Sequence, residues 1–180
     1  MSAITMLRHA TASAHETVDA AFGAHDLASP ASYRAFLHAH ARALPAAERA
    51  MQALPFARTL PARAPLLAAD LAALDVPPPA ALPFTPGDDA ASLWGVLYVV
   101  EGSRLGGALL ARQVPAGLPH AYLGAVHPPG QWRTIRAALD DAAAGQDADW
   151  TARMIAGALA TFALYAQAAA EPAFRPSPRL

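Results

Sequence analysis

Apolar residues recur at helical spacing along nearly the whole chain, and this leaves few folds open. Ile4, Leu7, Thr11, Ala14, Val18 and Phe22 follow one another at three- and four-residue steps, the signature of one helix face. Ser29-Pro30 is a helix start, a serine cap followed by proline in the first turn, and Tyr33, Phe36, Leu37 and Leu44 continue from it. Pro45 is expected to kink or divide that helix, with Ala46–Leu54 resuming it. Between Pro55 and Pro86 only Ala64–Leu74 reads as helix, and the triple proline 77–79 must be extended. Further helices are expected over about 88–114, 131–143 and 147–170, the last capped by Asp147. Leu97–Val100 alone would suit a strand, but no segment sustains alternation. The expectation is therefore an all-α, single-domain multihelical bundle spanning 1–180, with the proline-containing tail 172–180 frayed.

Composition narrows the function. Hydrophobic residues make up 54% of the chain, much of it alanine, so the interior is built for close helix packing. A formal net charge of -1 argues against a nucleic-acid partner. With no cysteine, disulfides, zinc–thiolate sites and thiol nucleophiles are excluded. The longest apolar stretch, 93–100, stops at Glu101, and the N-terminus lacks an apolar core of signal-peptide length. No membrane partner is expected, and the cytoplasm is the default location.

Two features carry chemistry. Gly102-Ser103-Arg104-Leu105-Gly106-Gly107 interrupts an apolar helix, and three interior glycines cost roughly 2–3 kcal/mol relative to alanine. Gly102 and Gly106 share a face, where bare backbone would admit either a flat ligand or a closely packed neighbouring helix. The second feature is His15, at the edge of the first apolar face, where a neutral imidazole could ligate iron. The other six histidines have no comparable setting in the sequence, and His38 and His40 are a poor chelating pair.

Together these stretches resemble the heme oxygenase family, most closely its bacterial, biliverdin-producing branch. Leu7-Arg8-x-Ala10-Thr11-x-x-x-His15, with Glu16 and Asp19, is similar to the family's first helix, and Leu97–Gly107 to its glycine-rich distal helix. Tyr33-x-x-Phe36-Leu37 and Ala160-Thr161-Phe162 extend the likeness over most of the chain. The resemblance implies heme b as both substrate and cofactor, opened by O2 with electrons from an external reductant, to biliverdin, carbon monoxide and Fe2+. The electron donor would be a partner protein or a small reductant, since no nucleotide-binding glycine loop follows a strand.

The resemblance also implies residue roles. His15 corresponds to the proximal iron ligand, and Gly102 and Gly106 to the glycines lying against the distal heme face. Arg8 corresponds to a basic residue near the heme edge, and Arg133 to a propionate partner, for which arginine is the fitting cation. Phe162 and Tyr165 are candidates for the pocket wall and a propionate hydrogen bond. Ser103 stands where mammalian-type members carry an aspartate that orders water, so proton delivery must be arranged differently here. A non-catalytic heme carrier or sensor, or a heme-free interaction protein on the same fold, are the alternatives.

Overall fold

The computed structural model describes residues 2–170, and within them the chain forms eight α-helices and no strand. The expected frayed tail, 172–180, lies outside the described residues.

The first apolar face belongs to two helices rather than one, α1 (Ala3–Ala10) and α2 (Ala12–Gly23). Between them Thr11 leaves helical geometry (φ -107°, ψ 4°), and its buried hydroxyl donates to the Leu7 carbonyl at 2.8 Å. Such back-bonding offers the backbone an alternative to continuing the helix.

The converse holds at Pro45. Helix α3 (Pro30–Met51) runs through it unbroken. The carbonyl of Arg42, three residues before the proline, accepts the Leu82 N–H at 2.8 Å, so the extended proline-rich connection is tied to α3 beside the interruption. A 3-10 turn at Phe56–Thr59 leads to α4 (Ala64–Ala73), whose start is capped from α3. The buried Glu48 carboxylate accepts from the N–H groups of Arg63 (2.7 Å) and Ala64 (3.0 Å).

Helix α5 (Ala90–Ala111) is capped by Asp89, which accepts from the Ser92 N–H. The short α6 (Ala121–Gly124) is capped by Asp70 of α4, through the N–H groups of Ala121 and Tyr122. Helix α7 (Gln131–Ala143) follows, and α8 (Ala148–Ala170) begins at Asp147, which accepts from the Trp150 N–H at 2.7 Å as expected.

Helices α5 and α8 form the central pair. Any Cβ on Gly95 would collide with the Met154 carbonyl oxygen, and any Cβ on Gly157 with that of Ser92. These two glycines are therefore the close-packing devices of the fold. One core cluster lies on each side of this pair. Phe22, Tyr33, Phe36, Leu97 and Tyr165 belong to the larger, and Leu7, Val99, Trp150, Met154 and Phe162 to the smaller. Helix α2 packs on α8, so α8 supports both the helix carrying His15 and the helix carrying the glycine run.

Candidate functional site

The three glycines of the run have different surroundings. A Cβ on Gly107 would come within 2.8 Å of the Leu123 carbonyl oxygen, so Gly107 is a packing glycine set against α6. A Cβ on Gly106 would meet nothing within 4 Å, and one on Gly102 only the Trp132 ring, at 3.7 Å. Helix packing therefore does not account for Gly102 or Gly106. They leave a strip of bare backbone on the outward face of α5, extended by Leu105 and Leu109, which are 51% and 62% exposed. Exposed apolar area of this kind on a helix is a binding feature when it adjoins bare backbone.

His15 stands on α2 with its side chain 59% exposed. Its Nδ1 lies 3.1 Å from Asp19 Oδ2, one turn on, and its ring meets Phe162 of α8 edge-on at 5.6 Å. With Nδ1–H donated to the carboxylate, Nε2 carries the lone pair and is the nitrogen available to a metal. Among the described residues no group of three or more His, Cys, Asp or Glu could hold a metal ion on its own. His15 Nε2 is a single nitrogen donor of the kind that a macrocycle-held iron would take from a protein, and the bare backbone at Gly102 and Gly106 would admit a flat ligand.

The α1–α2 break joins these parts. On α5, burial pushes the Tyr98 phenol pKa up, partly offset by Thr11 and by the charge of Arg8. His15 follows Thr11 by one helical turn, and Gly102 follows Tyr98 by one turn, about 5.4 Å along each helix. Arg8 is exposed beside this junction, placing a cation next to a phenol where the helices meet. Tyr98 was not singled out in the sequence, where it reads as one more apolar position of the helix.

Arg133 is exposed on the first turn of α7. Tyr165 departs from its expected setting. It is 5% exposed, its ring lies in the larger core near Phe22 and His40, and its hydroxyl is buried with no hydrogen-bond partner among the described residues. Burial raises its pKa well above the usual phenol value. Its place four residues after the buried Thr161 puts it on the inward face of α8. Phe162, for which core packing is the favoured of the two roles, is buried in the smaller core with its ring edge-on to His15.

Two polar chains behind α5 were not legible from spacing. In the first, Ser103 Oγ donates to the Val100 carbonyl (2.7 Å) and accepts from Arg63 Nη2 (2.7 Å), which also donates to Val100 O (2.6 Å). The Arg63 guanidinium lies 5.3 Å over the Tyr122 ring, and the Tyr122 hydroxyl meets His40 Nδ1 at 2.7 Å. The His40 ring packs near Phe22 and Phe36, and burial, with Arg63 nearby, lowers its pKa to about 3. In the second, buried Glu101 binds Arg104 Nε (2.7 Å) and His127 Nε2 (2.9 Å). Arg104 reaches on to the carbonyls of Pro61 and Ala125.

The architecture is the all-helical heme oxygenase fold. The structure superposes on the NO- and CO-bound heme oxygenase of Neisseria meningitidis with a TM-score of 0.77, covering 94% of this chain and 90% of that one at 23% identity. In sequence the chain is similar to a heme oxygenase of Xanthomonas campestris pv. campestris, 42% identical over 107 residues. That match covers 56% of this chain and 63% of the relative's length. No family model matches the chain. Among the described residues no helix is long and apolar enough to cross a membrane.

Proposed function

We propose that the chain is a heme oxygenase that cleaves heme with O2 and an external reductant to biliverdin, carbon monoxide and Fe2+. The observation that carries this is a histidine whose Nδ1 is held by Asp19, leaving Nε2 for a ligand, together with bare helix backbone at Gly106, where nothing lies within 4 Å of a Cβ position. Bound heme would supply the oxygen-activating iron and also be the molecule consumed.

The chain's own residues bind, orient and exclude. His15 Nε2 would hold the heme iron, with Asp19 fixing the tautomer and ring orientation. Phe162 supports the imidazole edge-on. Gly102 and Gly106 would let a flat macrocycle approach the α5 backbone. Arg8 and Tyr98 offer one propionate a cation and a hydroxyl, and Arg133 offers a second cation from α7. Ser103 gives its proton to Val100 O and takes one from Arg63, so it is a fixed acceptor beside a buried cation rather than a carboxylate. Protons reach the site past that pair. Electrons come from a partner protein or a small reductant, and the reaction takes place in the cytoplasm.

A visible spectrum of the protein with added hemin tests this. A Soret band that decays to biliverdin absorption on adding ascorbate is expected. A stable Soret band without turnover would indicate a heme carrier or sensor, and no Soret band a heme-free protein on the same fold.

A further inference from the structure

The Gly102–Gly106 strip is bounded unequally. At Gly106 nothing lies within 4 Å of a Cβ position, whereas at Gly102 the Trp132 ring is 3.7 Å away. Trp132 is half-buried on the first turn of α7 and packs against the larger core, so it is no loose surface side chain.

The setting of the indole is more specific than core packing requires. Its ring stacks on His127, with centroids 5.7 Å apart and planes 24° from parallel. His127 is itself held through Nε2 by Glu101, the residue immediately before Gly102, and the His127 side chain is 6% exposed. Glu101 is fixed in turn by Arg104. The indole plane is thereby referenced to the same helix turn that forms the floor. A chain of fully enclosed polar groups ending on an aromatic ring is an expensive way to fill a core gap, because each buried charge must be matched. It is a sound way to hold a wall at a fixed distance from a floor.

We infer that Trp132 is a specificity-determining wall of the Gly102–Gly106 site, setting the in-plane seating of the macrocycle and so which meso carbon lies against the bare strip. This rests on the heme oxygenase reading. The macrocycle's two faces are nearly alike and its identity lies at the periphery. A wall at one end of the floor, with the Arg8–Tyr98 pair at the α1–α2 junction, supplies two points from which one seating is chosen. His127 and Glu101 act through Trp132 as positioning residues.

The test uses the full chain with hemin and compares wild type, Trp132→Ala, Trp132→Phe and His127→Gln. Seating is read from the hyperfine-shifted heme-methyl resonances of the ferric cyanide complex, and regiochemistry from chromatography of the biliverdin isomers. Wild type should show one dominant seating and one dominant isomer. In Trp132→Ala the minor seating should rise about tenfold, the change that about 1.4 kcal/mol of lost contact produces. Trp132→Phe should fall between, and His127→Gln, which keeps the indole but frees its plane, should mix seatings to a smaller degree. Thermal melts of the apoproteins accompany each variant, because a purely structural Trp132 would lower the melting temperature and leave seating unchanged. If Trp132→Ala fails to fold, Trp132→Phe and His127→Gln carry the test. An unchanged seating and isomer ratio in folded variants overturns the wall while leaving the heme reading intact. Failure of the wild type to bind hemin overturns both.

Discussion

Substitution of Gly106 by alanine separates the two roles that glycine plays in α5. Alanine is favoured over glycine in a helix interior by about 1 kcal/mol. At Gly106 the added methyl meets nothing within 4 Å, so no packing term opposes that gain. For a chain of this size 1 kcal/mol moves the melting temperature by roughly 2–4 °C, so the Gly106→Ala apoprotein should melt a few degrees higher. Gly95→Ala, in the same helix, places its methyl on the Met154 carbonyl oxygen, which is backbone and cannot rotate away. Overpacking of that kind costs about 1–3 kcal/mol or more, so this variant should melt lower despite the same propensity gain. Gly107→Ala, at 2.8 Å from Leu123 O, should also be destabilised. With hemin the order inverts: Gly106→Ala should lose affinity or turnover because its methyl occupies ligand space, while folded Gly95→Ala keeps both. Calorimetry of the apoproteins, paired with hemin titration and ascorbate-driven turnover, gives both readouts. A Gly106→Ala protein that is destabilised yet fully active would refute the assignment of the bare strip to ligand.

His15→Ala should fold nearly normally, since the side chain is 59% exposed, yet lose the ferric heme spectrum, with added imidazole restoring part of it. Glu101→Ala strands Arg104 in the interior, and removing one partner of a buried pair costs about 3–5 kcal/mol, so chemical denaturation should show a large loss of stability. Burial, with Arg63 nearby, lowers the His40 pKa from the ordinary 6.5 to about 3, so it binds a proton more readily when unfolded. Its contribution is complete above about pH 6.5 and is lost as pH falls toward 3; His40→Phe should flatten melting temperature against pH across that window.

The helices were legible because their signal is local. Periodicity and caps depend on residues within a turn or two, and Asp147 and Ser29-Pro30 mark starts within one residue of where the helices begin. The misreading at Thr11 comes from a bond that local propensity does not decide, since its hydroxyl turns to Leu7 O where α1 ends. At Pro45 the helix is not divided, and the Leu82 N–H takes up the Arg42 carbonyl beside it. The small α6 was missed because Asp70 caps it from α4, across some fifty residues of chain.

The site shows the same division. His15, Gly102 and Gly106 stand out in sequence because each is costly or unusual where it lies. The residues that hold the site do not, since Tyr98, Trp132 and Arg63 are ordinary choices for their own helices and gain roles only from distant partners. Glycine illustrates the limit best. Spacing pairs Gly106 with Gly102 on one face, but it does not say whether that face, or Gly95 or Gly107, meets a neighbouring helix or open space. Only the surroundings show that Gly95 receives α8, Gly107 receives α6, and Gly106 faces open space. Helices approach closely at the first two, which leaves the third as the place where the helix has kept its conformational cost without a protein contact to offset it. That uncompensated cost, in a fold that also exposes a histidine with one nitrogen left for a ligand, is the physical reason to look for a ligand there.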